Sequence, residues 1–157
     1  QRIWWAQAGG GAAVEFCGRD ARCQAGVGLD AWVVPVSDDI VTAGLAQPFL
    51  FLRADLWGFD DFTENHTVAE TLFADLNETG YLATINGANH YDFTDIPLFS
   101  PLTPQLNLSS DMDSDYTVEM MNAMTSAFFR QELQGAGDDL VMGAMVYPEM
   151  EMVGNGR

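Results

Sequence analysis

The chain contains no lysine and carries little positive charge of any kind. All six of its basic residues are arginines, against 23 aspartates and glutamates, so the formal net charge is -17. A field of this sign repels phosphate backbones, which argues against nucleic acid as a partner. The excess of acid favours a plainly soluble surface over the alternatives of a positively charged partner or bound cations.

Long apolar runs are also missing. No stretch reaches the roughly 18 apolar residues that a membrane-spanning helix needs, and the longest runs, such as residues 31–36, have the length of a strand. The first residues include neither a basic segment nor a long apolar one, so no signal peptide is expected there. Because no initiator methionine is present, we expect a chain that begins inside a longer protein, was processed or is incompletely recorded.

Cysteine and histidine are scarce. Neither of the two histidines lies near Cys17 or Cys23, so the four ligands of a structural zinc site are not available. The cysteines form either a local disulfide, which would suit an oxidising compartment, or two buried thiols. The acidic run from Asp111 lacks the glycine and glutamate that a calcium loop needs at its sixth and twelfth positions. We expect neither a metal nor a cofactor.

The apolar pattern predicts strands that alternate with helices. Three short, almost wholly apolar runs are typical of buried strands, at residues 26–30, 47–53 and 81–85. Such alternation indicates a parallel sheet with helices on both faces. Because three strands alone would leave two exposed edges, further strands from elsewhere are expected.

Helical signals fill the intervals between these strands. A glycine-rich turn at residues 9–11 opens a short helix, and apolar residues at helical spacing predict a second helix over 67–76. A long helix over 117–133 is expected to be capped by Asp113-Ser114-Asp115 and ended by Gln134-Gly135. Its methionines at 120, 121 and 124 read as core rather than as a metal or redox site.

Two polar residues follow predicted strands in a suggestive order. Asp30 ends the first strand, and His90 lies in the loop after the third. Acyl-transfer hydrolases need a nucleophile, an imidazole base and an acid that orients the imidazole. In α/β-hydrolases the acid and then the histidine follow the nucleophile, each at the carboxyl end of a strand. The alternatives are a histidine of the surface or core and an acid that only accepts bonds from loop amides.

Four segments in order carry a more specific resemblance. The segments are Gly28-Leu29-Asp30-Ala31-Trp32 with Pro35, Gln47-Pro48-Phe49-Leu50-Phe51-Leu52, Gly87-Ala88-Asn89-His90 with Phe93 and Asp95, and the helix end Ala127–Leu133. Through them the chain resembles the plasma-type platelet-activating-factor acetylhydrolases and their bacterial relatives over residues 9–135.

The resemblance implies an α/β fold in which residues 1–135 form the C-terminal half of an α/β-hydrolase domain, a mostly parallel sheet flanked by helices. Residues 136–157 are then a tail, expected as a peripheral strand, an arm or a disordered end. It also implies that His90 takes the proton from a serine while Asp30 holds the tautomer of the imidazole and stabilises the imidazolium.

The nucleophile departs from the family pattern. Where the family has G-H-S-x-G-G, residues 6–11 read Ala-Gln-Ala-Gly-Gly-Gly. An ungapped alignment places Ala8 at the serine position, and a shift of one residue places Gln7 there. In the ungapped alignment, the backbone N–H of Gly9 would be one donor of the oxyanion hole. An engineered variant, a natural loss and an unreliable N-terminal sequence all remain open.

Two functions follow from these observations. The first is a carboxylic-ester hydrolase acting on short-acyl or lipid esters, and the second is a catalytically inactive extracellular structural or assembly protein. Expected partners are a small ester or lipid substrate and an N-terminal half in the same or a separate chain, with homo-oligomerisation left open. An extracellular or periplasmic location is expected.

Three further features complete the sequence-based expectations. His66, the other histidine, is expected at the surface near the start of a helix. Trp32 and Trp57 are expected in the core, with a place in the substrate pocket as the alternative. N-x-S/T sequons, which matter only where the source glycosylates them, occur at Asn65, Asn77 and Asn107.

Overall fold

The computed structural model describes residues 2–6, 8–56, 63–137 and 140–155. Within these residues lies a five-stranded sheet whose strands are neighbours in chain order. The first four strands are parallel, and the fifth pairs antiparallel with the fourth. The strands are β1 Arg2–Ala6, β2 Ala25–Leu29, β3 Phe49–Leu56, β4 Gly80–Asn89 and β5 Met150–Gly154. The expected α/β class with a mostly parallel sheet is confirmed.

Helices cover both faces of this sheet in the described part of the chain. The core on one face joins α1, α2 and α3 to the sheet, and the core on the other joins α5 and α6. None of the described helices is long and apolar enough to span a membrane. The α-helices are α1 Ala8–Arg19, α2 Asp38–Ala43, α3 Thr63–Ala74, α4 Ile96–Phe99, α5 Ser114–Gln134 and α6 Leu140–Ala144, with 3-10 turns at His90–Phe93 and Pro104–Leu106.

Strand β3 shows why the sheet needs helices on both sides. Its side chains alternate, so that Phe49 and Phe51 enter the core under α1 to α3, while Leu50 and Leu52 enter the core under α5. All four are buried. An apolar residue at every position is therefore what a central parallel strand requires.

The three predicted strands are present, and the structure adds β1 and β5. Strand β1 pairs along β2 from Arg2 opposite Ala25 to Ala6 opposite Leu29. It was missed because five residues carry too short a pattern to identify a strand without knowing its neighbour. Of the three structures expected for the tail, a peripheral strand is present as β5. The tail also contains α6, whose Leu140 and Ala144 are buried in the core under α5.

Local signals located the long helix well. Asp113 accepts a hydrogen bond from the N–H of Tyr116 at 2.9 Å and caps α5, and Gly135 ends it with a left-handed φ of 63°. The three methionines of α5 are buried, as expected. The helix predicted over 67–76 instead starts at Thr63 and ends at Ala74.

The two cysteines form the disulfide that was one of the alternatives. Cys17 lies in α1, and Cys23 lies just before β2. Both are buried in the core between α1, α2 and the sheet. The bond therefore ties the helix that follows β1 to the strand that precedes Asp30.

Candidate active site

Three strand ends bring the candidate residues to one edge of the sheet. Ala8 begins α1 directly after β1, Asp30 follows β2, and His90 follows β4. Because these strands are parallel, their carboxyl ends lie along the same edge. This is the edge at which open α/β sheets place their ligands.

Asp30 is held rigidly between two strands. It is 1% exposed, and its backbone N–H donates to the carbonyl of Leu52 at 2.7 Å. Its Oδ1 accepts from the N–H of Ala54 at 2.9 Å, which ties the carboxylate to β3. Its Oδ2 is hydrogen-bonded to Nδ1 of His90. The contact that the sequence led us to expect between the two side chains is therefore present, while their catalytic roles stay predictions.

His90 is presented by a tightly capped turn. The side chain of Asn89 accepts from the N–H of Tyr91 at 3.1 Å, and Asp92 accepts from the N–H of Asn89 at 2.7 Å. This reciprocal pair is a capping box, which orients the first turn of the 3-10 helix. The imidazole is 15% exposed, and its Nδ1 faces Asp30. In a serine triad the nitrogen that bonds the acid is Nδ1, and Nε2 serves the nucleophile.

The nucleophile position coincides with a strand-to-helix turn. Ala8 is the first residue of α1, and Gln7, the residue of the alternative alignment, lies outside the described residues. Gly9 falls in the first turn of α1, where backbone N–H groups have no partner within the helix. Its amide therefore suits the predicted oxyanion donor, a role that stays a prediction.

The segment after Asp30, residues 31–37, is called the acid loop here. It packs closely on α1, because a Cβ atom on Gly11 would lie 2.2 Å from the carbonyl oxygen of Trp32. Glu15 of α1 accepts from both the N–H and the hydroxyl of Ser37, at 3.1 and 2.9 Å. The hydrogen bond from the backbone of Ser37 lowers the pKa of Glu15, which favours the charged form that holds the loop.

The prediction of a buried Trp32 is wrong, since this side chain is 42% exposed. It lines an open cavity of about 410 Å³ between α1 and the acid loop, together with Gly11, Glu15 and Pro35. Gly11 packs against the backbone of Trp32 and leaves its ring at the surface of this cavity, a placement that sequence patterns do not reveal. Trp57 lies outside the described residues.

The prediction of a surface position for His66 is also wrong. Its side chain is half-buried in α3, and its Nε2 has no hydrogen-bond partner among the described residues. Burial, aided by the positive charge of Arg53, lowers its pKa. His66 is therefore held in its neutral form more firmly than a surface histidine.

Two buried polar residues near the site were not singled out from the sequence. Asn65 is 3% exposed and bonds to the acid loop. Asp92 is 5% exposed and also accepts from the N–H of Ser110 at 3.0 Å. The sequence offered one signal for Asp92, its place three residues after a possible Asn cap. For Asn65 there was only a sequon, which points to the surface and misleads.

The structure separates the three sequons. Asn65 is buried with both ends of its amide bonded, so a glycan there is incompatible with this fold. Asn77 and Asn107 are exposed. The described residues contain no group of three or more His, Cys, Asp or Glu side chains placed to hold a metal ion.

Comparison with known proteins adds independent findings. The family model described as platelet-activating factor acetylhydrolase, isoform II, matches residues 6–143. The platelet-activating factor acetylhydrolase of Gallus gallus is 27% identical over 128 residues, which cover 80% of this chain and 29% of that protein. The enzyme of the same name from Canis lupus familiaris is 27% identical over 130 residues, covering 80% of this chain and 28% of that protein.

Among solved structures, a ferulic acid esterase from Streptomyces cinnamoneus superposes with a TM-score of 0.77 at 21% identity. The match covers 96% of this chain and 45% of that one, and at this identity it shows a shared fold. The chain thus spans less than a third of the length of the curated relatives named above.

Proposed function

Because the chain belongs to the platelet-activating factor acetylhydrolase, isoform II, family, we propose that it supplies the acid and the base of a serine carboxylic-ester hydrolase. The observation that carries this proposal is the hydrogen bond between Asp30 and Nδ1 of His90. It lies at the same sheet edge as the start of α1, where a serine of this family would stand.

The chemistry assigned to each residue follows from this geometry. His90 accepts the proton of a serine hydroxyl through Nε2 while that oxygen attacks the ester carbonyl, and later returns the proton to the leaving alcohol. Asp30, bonded to Nδ1, keeps the imidazole in the required tautomer and stabilises the imidazolium. The amide of Gly9 donates to the oxyanion, with a second donor supplied by a segment outside this chain.

The proposed substrate is a short-acyl or lipid ester. This substrate class rests on the family relationship, because neither Asp30 nor His90 lines the cavity beside Trp32. The disulfide between Cys17 and Cys23 fits an extracellular or periplasmic location. An N-terminal half, in the same or a separate chain, would complete the site.

A second candidate function rests on one residue. Ala8 cannot attack a carbonyl, so a chain with alanine at this position keeps Asp30 and His90 but has no nucleophile. Under this alternative it is an inactive, extracellular structural or assembly protein of the same fold. The two candidates differ in whether a serine at the start of α1 is activated.

Restoring the serine tests the proposal directly. The chain and its Ala8→Ser and Gln7→Ser variants are incubated with a fluorophosphonate probe, and labelling is followed by intact mass. We expect labelling of Ala8→Ser at the new serine, because an activated hydroxyl forms a stable phosphonyl ester. Labelling of Gln7→Ser instead would support the shifted alignment.

The control variants separate activation from mere exposure. Adding His90→Gln or Asp30→Asn to the labelled serine variant should abolish or greatly slow labelling. The first change removes the base, and the second removes the acid that orients it. Folded serine variants that label equally without His90 would refute the proposed function, because the serine would then react without the imidazole. The inactive scaffold would then be the better description.

A further inference from the structure

The acid loop is held by a side chain that comes from a distant helix. Asn65 of α3 donates through Nδ2 to the carbonyl of Ala31 at 3.0 Å. Its Oδ1 accepts from the N–H of Val33 at 2.7 Å. A carboxamide offers the same donor and acceptor as a peptide group. Asn65 therefore bonds to these two residues as the backbone of a neighbouring strand would.

The backbone just before these bonds is in an unusual conformation. Asp30 has a φ of 43°, in the left-handed region that residues other than glycine rarely occupy. Such conformations persist when the surrounding contacts impose them. The bond from the N–H of Asp30 to Leu52 fixes the chain before the carboxylate, and the bonds of Asn65 fix it immediately after.

Helix α1 also contacts the loop. Gly11 lies against the carbonyl of Trp32, between the two residues that Asn65 bonds. Glu15 holds Ser37 at the far end. Of these contacts, the two bonds of Asn65 are the ones nearest in sequence to Asp30, so we expect its amide to matter most for the position of the carboxylate.

We propose that Asn65 is a positioning residue, which holds the left-handed turn at Asp30 so that the carboxylate meets Nδ1 of His90. The catalytic meaning of this role rests on the proposed function. The structural role does not, because the contact between Asp30 and His90 exists in the chain with Ala8 in place. Substituting Asn65 should therefore weaken that contact even though Asn65 does not touch His90 in any hydrogen bond of the described residues.

The first test observes the contact itself, in the chain as it exists. The proton on Nδ1 of His90, when bonded to a carboxylate, gives a far-downfield NMR resonance that exchanges slowly with water. We expect Asn65→Ala to broaden or remove this resonance while circular dichroism stays that of the parent. Asn77→Ala is the matched control, since it also removes an amide that donates to a backbone carbonyl, that of Ala43, but far from the acid loop.

Asn65→Asp separates the two bonds that the amide makes. The aspartate keeps an acceptor for the N–H of Val33 but replaces the donor to Ala31 with an oxygen. An intermediate loss of the resonance is expected. A resonance unchanged in both Asn65 variants would overturn the proposal, as would an equal loss in Asn77→Ala.

The catalytic consequence is measured in the Ala8→Ser background with p-nitrophenyl acetate. We expect Asn65→Ala to lower kcat by about 10- to 100-fold with little change in KM, because only the alignment of the base is disturbed. An unchanged kcat would overturn the positioning role in catalysis. If Ala8→Ser is inactive but the resonance responds to Asn65, the proposed function fails and the structural role of Asn65 stands.

Discussion

Two loops leave the same sheet edge directly after the two members of the proposed catalytic pair, and they are stabilised in opposite ways. The acid loop after Asp30 is bonded to α1 and α3, helices that come before and well after it in the chain. The loop after His90, residues 94–113 and here called the histidine loop, is bonded mainly to itself. Examples are Ser109 to Thr103 and Leu108 to Thr103.

The apolar side chains of the acid loop are also more deeply buried than those of the histidine loop. In the acid loop Val33 is fully buried and Val36 is 7% exposed. In the histidine loop Phe99 is 79% exposed and Leu106 is 64% exposed. The position of the acid therefore depends on distant parts of the chain. The position of the histidine depends on a local turn and its caps.

The largest expected effect is from a methyl group added under the acid loop. Gly11→Ala places a Cβ atom against the backbone oxygen of Trp32, which cannot move without shifting the loop. We expect a loss of about 3 kcal/mol in the free energy of unfolding, measured by urea titration. Gly137→Ala, which has open space around it, is the control. An unchanged free energy of unfolding in Gly11→Ala would show that the acid loop is not packed tightly against α1.

A substantial but more local effect is expected from Asp92→Ala. This change leaves the partly buried N–H groups of Asn89 and Ser110 without their carboxylate. The expected loss is about 2 kcal/mol, with faster hydrogen exchange concentrated in the histidine loop. Asp95→Ala is the control, since Asp95 is exposed and makes no capping bond. Faster exchange in the acid loop instead would contradict the separation of the two loops.

Truncating one apolar side chain in each loop compares the two directly. Val33→Ala removes two buried methyl groups and should cost about 1.5 kcal/mol. Phe99→Ala removes a larger but exposed side chain and should change stability by no more than about 0.5 kcal/mol. Thermal denaturation of both variants measures the difference. A Phe99→Ala variant that is the less stable of the two would mean that the histidine loop is packed against another surface in solution.

The smallest effect concerns His66, the neighbour of Asn65. Its pKa is lowered in the folded protein, so below the ordinary value of 6.5 the unfolded chain binds the proton more readily. This histidine therefore stabilises the fold fully above that value, and the contribution is lost as the pH falls through its folded pKa. We expect His66→Gln to flatten the decline in stability between neutral and mildly acidic pH. An unchanged pH profile of the unfolding free energy would show that His66 is solvated.

The sequence was sufficient for features that depend on short spacings. Asp113 and Gly135 bound α5 because capping uses bonds between residues three to five apart. Asp30 and His90 could be paired because parallel strands must end at one edge, whatever their detailed contacts. The resemblance located both residues within quoted motifs, and the family match over residues 6–143 supports that identification.

Other features required the tertiary structure. The burial of Asn65 depends on where α3 meets the acid loop, and the exposure of Trp32 and the partial burial of His66 likewise appear only in the folded chain. A sequon at Asn65 even suggested the surface. Residues close in sequence do not specify these contacts. The two hydrogen-bond partners of Asn65, for example, lie more than 30 residues away in the chain.

The sequence by itself thus determined the class of the fold, the order of acid and base, and the alanine at the start of α1. Period-two and helical spacing, cap residues and motif order are properties of short stretches, so they can be read without coordinates. The tertiary structure alone showed which contacts hold the carboxylate of Asp30 against His90. That alignment comes from close packing and buried hydrogen bonds between elements far apart in sequence, whose geometry exists only in the folded chain.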